Sequence, residues 1–404
     1  MKAMFVGLGA ALLLPGVCLS QGGPLSLPEA LRLARERAAT VIAAGGRVEE
    51  ARARLLPAAR RLRENPVVEL TGGRRQAGET FTDFEATVSQ GFEPAARRQA
   101  RIAGADADLE AAQAGLEDVR RTYLGEVDAA FQRTLAAQEK VRLATQAETL
   151  AGDLLTTLER RSQMGEATDL ELNRVRTAAA RARADRSAAE SERLEAGGGL
   201  RALLGREPGE PLAVAGTLRE LPALDLAPLL ARAAERPDLQ ALAAAVRQAE
   251  AEVRLGETRE KPDFALRTGY KREEGADVVS AGVSVALPWI ARGQEEQAVG
   301  RARAASLRAQ LEAARRAAET EVRTAFAAYR SRVQAVAELE RTAIPAVEDN
   351  ETLAQRSFEA GEINLGELLL IRQEILEARR SYLDLLLAAR LAAAELETRA
   401  GAHR

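Results

Sequence analysis

The stretch Gly165-Glu166-Ala167-Thr168-Asp169-Leu170-Glu171-Leu172 has a counterpart 196 positions later, Gly361-Glu362-Ile363-Asn364-Leu365-Gly366-Glu367-Leu368. Other residues recur at the same offset along the chain: Pro66 and Pro262, Arg160 and Arg356, Gly205 and Gly401. A period of about 200 residues is far longer than the units of solenoid proteins. The chain therefore contains one complex supersecondary unit twice.

The composition indicates long helices. Aromatic residues make up only 3% of the chain and charged residues 29%, while Ala, Arg, Glu and Leu dominate. This bias is typical of coiled coils rather than of compact mixed cores. The formal net charge of −3 lacks the basic excess that nucleic-acid binding requires. We therefore expect no nucleic-acid partner.

The N-terminus has the pattern of a secretory signal peptide over residues 1–20: Lys2, an apolar run over 3–17 and then small residues. Cys18, the only cysteine, falls inside this segment, and its lipidation is left open. The only histidine is His403. Without further Cys or His, neither a nucleophilic triad nor a His/Cys metal site is available. We therefore expect no enzyme, no cofactor and no bound metal.

The two repeats predict the same elements in the same order. The first, residues 21–205, contains short helices, a β-hairpin over 67–91 and a long helical hairpin over 95–204. A linker over 206–224 leads to the second repeat, 225–404, with a β-hairpin over 263–287 and a long helical hairpin over 294–399. Between residues 95 and 160, small and apolar residues recur every seven positions, which predicts coiled-coil packing: Ile102, Leu109, Leu116, Tyr123, Ala130, Ala137, Ala144, Ala151 and Leu158.

Local residue chemistry predicts where several elements begin, bend and end. Ser26-x-x-Glu29 predicts a capping box at the first helix. Pro57 should kink or end the helix predicted over 40–64, and Pro345 should bend the second long helix. Gln76–Glu79 and Glu273–Asp277 are the predicted hairpin turns.

The strands alternate between an apolar and a polar face. One reading is an ordinary sheet with its apolar face on a core, but the long helices offer no compact core to cover it. For an exported chain, such strands fit an outer-membrane barrel in which Phe84, Val88, Leu266, Val283 and Val285 face lipid and Glu85, Thr87, Arg267 and Ser284 face the lumen. Four strands cannot close a barrel. At least two chains are required, and three would supply twelve strands.

Several short motifs then carry a family resemblance: Leu27-x-Glu29-Ala30-Leu31, Arg236-Pro237-Asp238-Leu239, Gly-Glu at both tips, and Leu203-Leu204-Gly205. In this order, over Leu25 to Gly401, the chain resembles the TolC-like outer membrane efflux proteins. The resemblance implies a mainly α fold with a β-barrel contribution, in a homotrimer whose twelve-stranded barrel continues as a helical tunnel into the periplasm. It also implies a passive duct that contacts outer-membrane lipid and works with a periplasmic adaptor protein and an inner-membrane pump, such as one of the RND type.

A second set of motifs resembles the CzcC-type, heavy-metal branch of that family. Val88-Ser89-Gln90-x-x-Glu93 is followed by Arg97-Arg98-x-x-Arg101. The branch usually has a Gly-Gly pair before the basic residues, where this chain has Ala95-Ala96. The resemblance implies heavy-metal cations as cargo, but selection of cargo resides mainly in the pump.

The resemblance to the TolC-like outer membrane efflux proteins also gives the candidate sites. The expected adaptor-docking tips contain Gly165, Glu166, Ala167, Asp169, Gly361, Glu362 and Ile363. The expected periplasmic gate contains Glu367, where three chains would form a ring of carboxylates, and Glu171 is its counterpart in the first repeat. The simpler alternatives are that the glycines only end helices and that both glutamates only favour a helix start.

Two other kinds of protein also carry long helices. A periplasmic adaptor of the membrane-fusion type has one helical hairpin, whereas this sequence predicts two, each with its own strand hairpin. The other is a soluble structural coiled coil, and heat-modifiable trimer bands in the outer-membrane fraction would separate the efflux duct from both alternatives. We therefore expect the efflux duct.

Overall fold

A computed structural model describes residues 23–77 and 79–402. The predicted signal peptide over 1–20 with Cys18, Gly78 of the first predicted turn, and His403 lie outside the described residues.

The two repeats fold into the same succession of elements. The first contains α1 (Leu27–Arg37), α2 (Ala39–Ala59), β1 (Val67–Ala77), β2 (Glu79–Phe92), α3 (Ala95–Gln163) and α4 (Asp169–Leu203). The second contains α5 (Leu226–Ala234), α6 (Pro237–Glu257), β3 (Asp263–Glu273), β4 (Ala276–Ala286), α7 (Gln294–Glu359) and α8 (Leu365–Arg399). The predicted fold class, long antiparallel helices with two β-hairpins, is confirmed.

Two details differ from the expected bounds. Helix α2 ends at Ala59 rather than Glu64, which is the early stop expected from Pro57, because proline has no backbone N–H to donate. Helix α7 runs unbroken from Gln294 to Glu359 with Pro345 inside it, so the bend expected at that proline stays a prediction. The second hairpin turn consists of Glu274 and Gly275 alone, because Glu273 pairs with Ala276. Both turn residues have positive φ, 50° and 80°, as a type I′ turn requires.

The strands form one antiparallel sheet in the order β1-β2-β3-β4. Each hairpin pairs internally, and β2 pairs with β3 to join the hairpins of the two repeats. Strands β1 and β4 are therefore the edges, and neither edge has a further partner within the described chain.

The helices form a wall that is four helices wide, both in the part near the sheet and in the part farther from it. Near the sheet, α3 packs between α2 and α6, and α6 contacts α7. Farther away, α3 packs between α4 and α8, and α8 contacts α7. None of the residues in the predicted heptad stripe of α3 is exposed, so the stripe lies in these helix contacts. Apolar residues at that spacing, rather than a globular core, hold the wall together.

Candidate functional site

The strand register separates the sheet into the two predicted faces. Val283 on β4 lies opposite Leu266 on β3, and Tyr270 lies opposite Val279 and Ala86. On this face the large side chains are open to solvent in the single chain, with Val283 66% and Val279 80% exposed. The other face carries the four residues expected in the lumen: Glu85, Thr87, Arg267 and Ser284. The chain thus presents an uncovered apolar sheet face backed by a polar one.

Both helical hairpins end in the same motif at the tips. Gly165 and Gly361 have a left-handed backbone, φ 77° in each case. The amide of Glu166 donates to the Arg161 carbonyl at 2.8 Å, and the amide of Glu362 donates to the Ser357 carbonyl at 2.8 Å. These are Schellman motifs, which need a residue with free access to positive φ, as glycine has. Both glycines therefore end helices, as the simpler alternative expected. A docking role would be additional.

The tip residues divide into exposed and packed ones. Glu166, Asp169 and Glu362 are exposed, whereas Ala167 and Ile363 are half-buried. The two packed residues lie against an apolar cluster that joins both helical hairpins of one chain: Leu154, Leu158, Leu172, Val175, Ala354, Leu365 and Leu368. The tips of the two repeats are thus held side by side at one end of the molecule.

Glu171 and Glu367 each complete a capping box. The Glu171 carboxylate accepts from the Thr168 amide at 2.8 Å, and the Glu367 carboxylate accepts from the Asn364 amide at 2.9 Å. In return, the two cap side chains accept from the glutamate amides. The amide of Thr168 holds the pKa of the Glu171 carboxyl below its usual value. Both carboxylates therefore stabilise helix starts, directly beside the tips.

The motif shared with the heavy-metal branch lies where the sheet joins the helices. Glu93, at the end of β2, forms an ion pair with Arg101 of α3. Arg97 binds Asp263 at the start of β3 at 2.5 Å, and the Gln90 amide donates to the Glu64 carbonyl at 3.1 Å. These contacts fix the sheet to the helical wall. Sequence reasoning missed this role because Asp263 lies in the other repeat.

A second group missed from the sequence is a buried polar cluster in the wall. Asp128 on α3 accepts from Gln132 at 2.9 Å, and Gln132 Oε1 has no hydrogen-bond partner among the described residues. Burial raises the pKa of the Asp128 carboxyl, although the Gln132 amide and the charge of Arg390 oppose this. The heptad pattern gives no indication of such a carboxyl, and its charged neighbour Arg390 comes from α8, far along the chain.

Two properties of the described residues bear on transport. Among residues 23–77 and 79–402, no group of three or more His, Cys, Asp or Glu side chains is arranged to hold a metal ion. No helix in this part of the chain combines the length and apolar character needed to cross a membrane.

Known proteins resemble this chain in sequence and in fold. The family model described as "Outer membrane efflux protein" matches residues 30–206 and 231–402, one block in each repeat. The chain is 26% identical to the cobalt-zinc-cadmium resistance protein CzcC of Cupriavidus metallidurans, over 96% of each protein. It is 27% identical to the nickel-cobalt-cadmium resistance protein NccC of Alcaligenes xylosoxydans xylosoxydans, over 71% of this chain and 66% of that protein.

The fold agrees with a crystal structure of CusC. The TM-score is 0.76 at 19% identity, covering 93% of this chain and 92% of that chain. These matches give no support to the adaptor or the structural coiled coil. The family model covers most of both repeats, so the chain belongs to the outer membrane efflux protein family and is an efflux channel of the outer membrane, not an enzyme.

Proposed function

We propose that three copies of this chain close a twelve-stranded barrel in the outer membrane and that their helices continue it as a tunnel into the periplasm. The observation that carries this proposal is the four-stranded sheet, with an exposed apolar face and open edges at β1 and β4. Open edges cannot face lipid, because their backbone groups would lack hydrogen bonds there.

Pairing β4 of one copy with β1 of the next removes these edges. Two copies would give eight strands, a number whose interior is filled by side chains or holds one small ligand, whereas twelve strands leave room for water and solutes. In this arrangement Glu85, Thr87, Arg267 and Ser284 line the lumen, and the apolar face meets lipid.

The channel works with a periplasmic adaptor that meets the tips and with an inner-membrane pump that supplies the energy, of which the RND type is one candidate. The exposed residues beside Gly165 and Gly361, at the end of the molecule farthest from the sheet, support this placement. A ring of three Glu367 carboxylates at the same end would favour cations at the entrance.

The cargo is a class of divalent heavy-metal cations. Two relatives are named as resistance proteins for cobalt, cadmium, zinc or nickel, and one of them aligns over 96% of this chain. The ions are passing substrate, so a conduit for them requires a hydrated lumen rather than a resident binding site.

The test is complementation in a strain that lacks its own heavy-metal export channel but keeps the adaptor and pump. We expect the chain to restore tolerance to cobalt, zinc and cadmium and to lower the cellular content of these metals. Restored resistance to organic drugs without restored metal tolerance would contradict the metal assignment while leaving the efflux channel intact.

A further inference from the structure

Beyond the strands, the apolar surface continues into the segment Leu287–Ile290, which connects β4 to α7. Leu287 follows Val285 with the strand's alternation, and Trp289 and Ile290 are 75% and 89% exposed. Trp289 is the only tryptophan of the chain. An exposed apolar surface that is continuous in this way with the sheet face marks a contact with a membrane or with another protein.

The height of the apolar band indicates that this partner is the membrane. On β4, the apolar face from Val279 to Val285 spans roughly 20 Å along the strand, or about 15 Å along the membrane normal at a tilt of about 40°. An outer-membrane barrel carries an apolar band of about 25 Å. Strand β4 alone therefore falls about 10 Å short of such a band, and Leu287–Ile290 extends its apolar surface at the end nearest the helices.

Cationic side chains lie at the same level. They precede β1 and β3 or follow β4 and are all exposed: Arg60, Arg61, Arg63, Lys261 and Arg292, here called the cationic collar. In the described part of the chain, none of them forms an ion pair with an acidic side chain. Four of the acidic residues at this level, Glu93, Asp263, Glu257 and Glu296, pair with arginines outside the collar. Glu260 accepts a hydrogen bond from Gln297 at 3.2 Å. Together with Glu64 and Glu295, that leaves three carboxylates beside the five cations of the collar.

We propose that Leu287–Ile290 enters the headgroup region of the periplasmic leaflet and that the cationic collar binds anionic phospholipid there. The inference rests on the proposed barrel, because that places this end of the sheet at the periplasmic leaflet. Tryptophan prefers the boundary between hydrocarbon and headgroups, and arginine binds lipid phosphate as a charge-assisted donor. The segment and the collar together set the depth of the barrel.

The single tryptophan provides the test. The full-length channel is reconstituted into phosphatidylcholine vesicles that contain lipids brominated either near the glycerol backbone or near the chain end. We expect Trp289 emission at short wavelength, with stronger quenching by the shallow bromines. Unquenched emission at long wavelength would mean water contact, and unquenched emission at short wavelength would mean protein contact; either result overturns the proposal.

A second probe separates this proposal from the barrel itself. In the variant Trp289→Phe with Val283→Trp, the probe lies on the apolar face of β4, and deep bromines should quench it more strongly. If Val283→Trp is quenched and Trp289 is not, the barrel stands and the anchor fails. If Val283→Trp is not quenched by any brominated lipid, the barrel fails as well.

The collar is tested with brominated phosphatidylglycerol and the same fraction of brominated phosphatidylcholine. We expect the ratio of Trp289 quenching by the two lipids to exceed one and to fall to one when all five collar residues are replaced by Gln. Arg330→Gln, on the exposed surface of α7 far from the sheet, is the control and should leave the ratio unchanged. A ratio of one in the unaltered protein would overturn the assignment of anionic lipid.

Discussion

Glu93 and Arg101 form an ion pair through both carboxylate oxygens at the junction of β2 and α3, and their side chains are only 12% and 11% exposed. Arg101 also donates to the carbonyls of Ala58 and Arg60, which closes the end of α2. One guanidinium thus connects a strand, the long helix and the preceding helix.

Removing the acid should be costly at this junction. We expect Glu93→Ala to destabilise the channel by about 3–5 kcal/mol, because it leaves a buried cation without its partner. The measurement is the temperature at which the purified assembly dissociates in mild detergent. The control is Glu117→Ala, which breaks an exposed pair with Arg120 and should cost less than about 1 kcal/mol. Equal shifts in the two variants would contradict the structural role of the junction.

Neighbouring residues on β4 should respond differently to the same charge. Val283→Arg places a cation on the lipid face and should cost about 2–4 kcal/mol near the middle of the membrane. Ser284→Arg places it on the polar face and should cost much less. The amount of assembled channel in outer-membrane fractions reports the difference, and equal defects would refute the proposed facing.

Adaptor docking at the tips is tested with large side chains at exposed positions, because Ala167 and Ile363 pack against the apolar cluster. We expect Glu166→Trp and Glu362→Trp to abolish metal export while assembly continues, because an adaptor could no longer approach the tips. Glu338→Trp, exposed in the middle of α7, is the control. Normal tolerance in both tip variants would count against docking at this end.

One substitution can distinguish the proposed role of Glu367 in a carboxylate ring from its role in helix capping. Gln at the third helical position preserves a capping box but removes the charge. We therefore expect Glu367→Gln to lower cation selectivity in planar bilayers and to weaken block by multivalent cations, with a smaller effect from Glu171→Gln. Unchanged selectivity in Glu367→Gln would leave capping as the role of this residue.

Asp128 predicts a pH-dependent stability. Because burial raises its folded pKa, the folded state holds its proton more tightly than the unfolded state, where the pKa is about 3.9. Stability therefore falls as the pH rises through the window between these values. Asp128→Asn removes this penalty and can supply a donor to Gln132 Oε1, so we expect a gain of about 1 kcal/mol at neutral pH. Thermal melts should show the gain above this window and lose it at acid pH; a loss of stability at every pH would contradict this account.

Much of the fold could be predicted because its determinants are local. Ser26 and Glu29 form the predicted capping box, with the Ser26 amide donating to the carboxylate at 3.0 Å. Repeated glycines at Gly165 and Gly361 predicted two equivalent tips, and alternation predicted strands whose apolar and polar residues lie on opposite faces of the sheet. Each of these patterns acts within a few residues of its own position.

The remaining features depend on packing between the repeats. Arg97 meets Asp263 only because β2 pairs with β3, and no pattern near Arg97 indicates that partner. Gly293 lies so close to the end of α6 that an added Cβ would come within 2.2 Å of the Gly256 carbonyl oxygen. Gly293 and Gly256 belong to different elements, so no sequence pattern near either residue predicts that the backbone approaches so closely here.

The most direct test of the central claim is disulfide crosslinking across the open sheet edges in native outer membranes. With Cys18 replaced by Ser, Leu70→Cys on β1 is combined in turn with one same-face substitution on β4: Val279→Cys, Ala281→Cys, Val283→Cys or Val285→Cys. The account predicts that at least one combination yields a covalent species of three chains and nothing larger. Crosslinking that stops at two chains, extends beyond three, or fails in every combination would contradict the trimeric barrel.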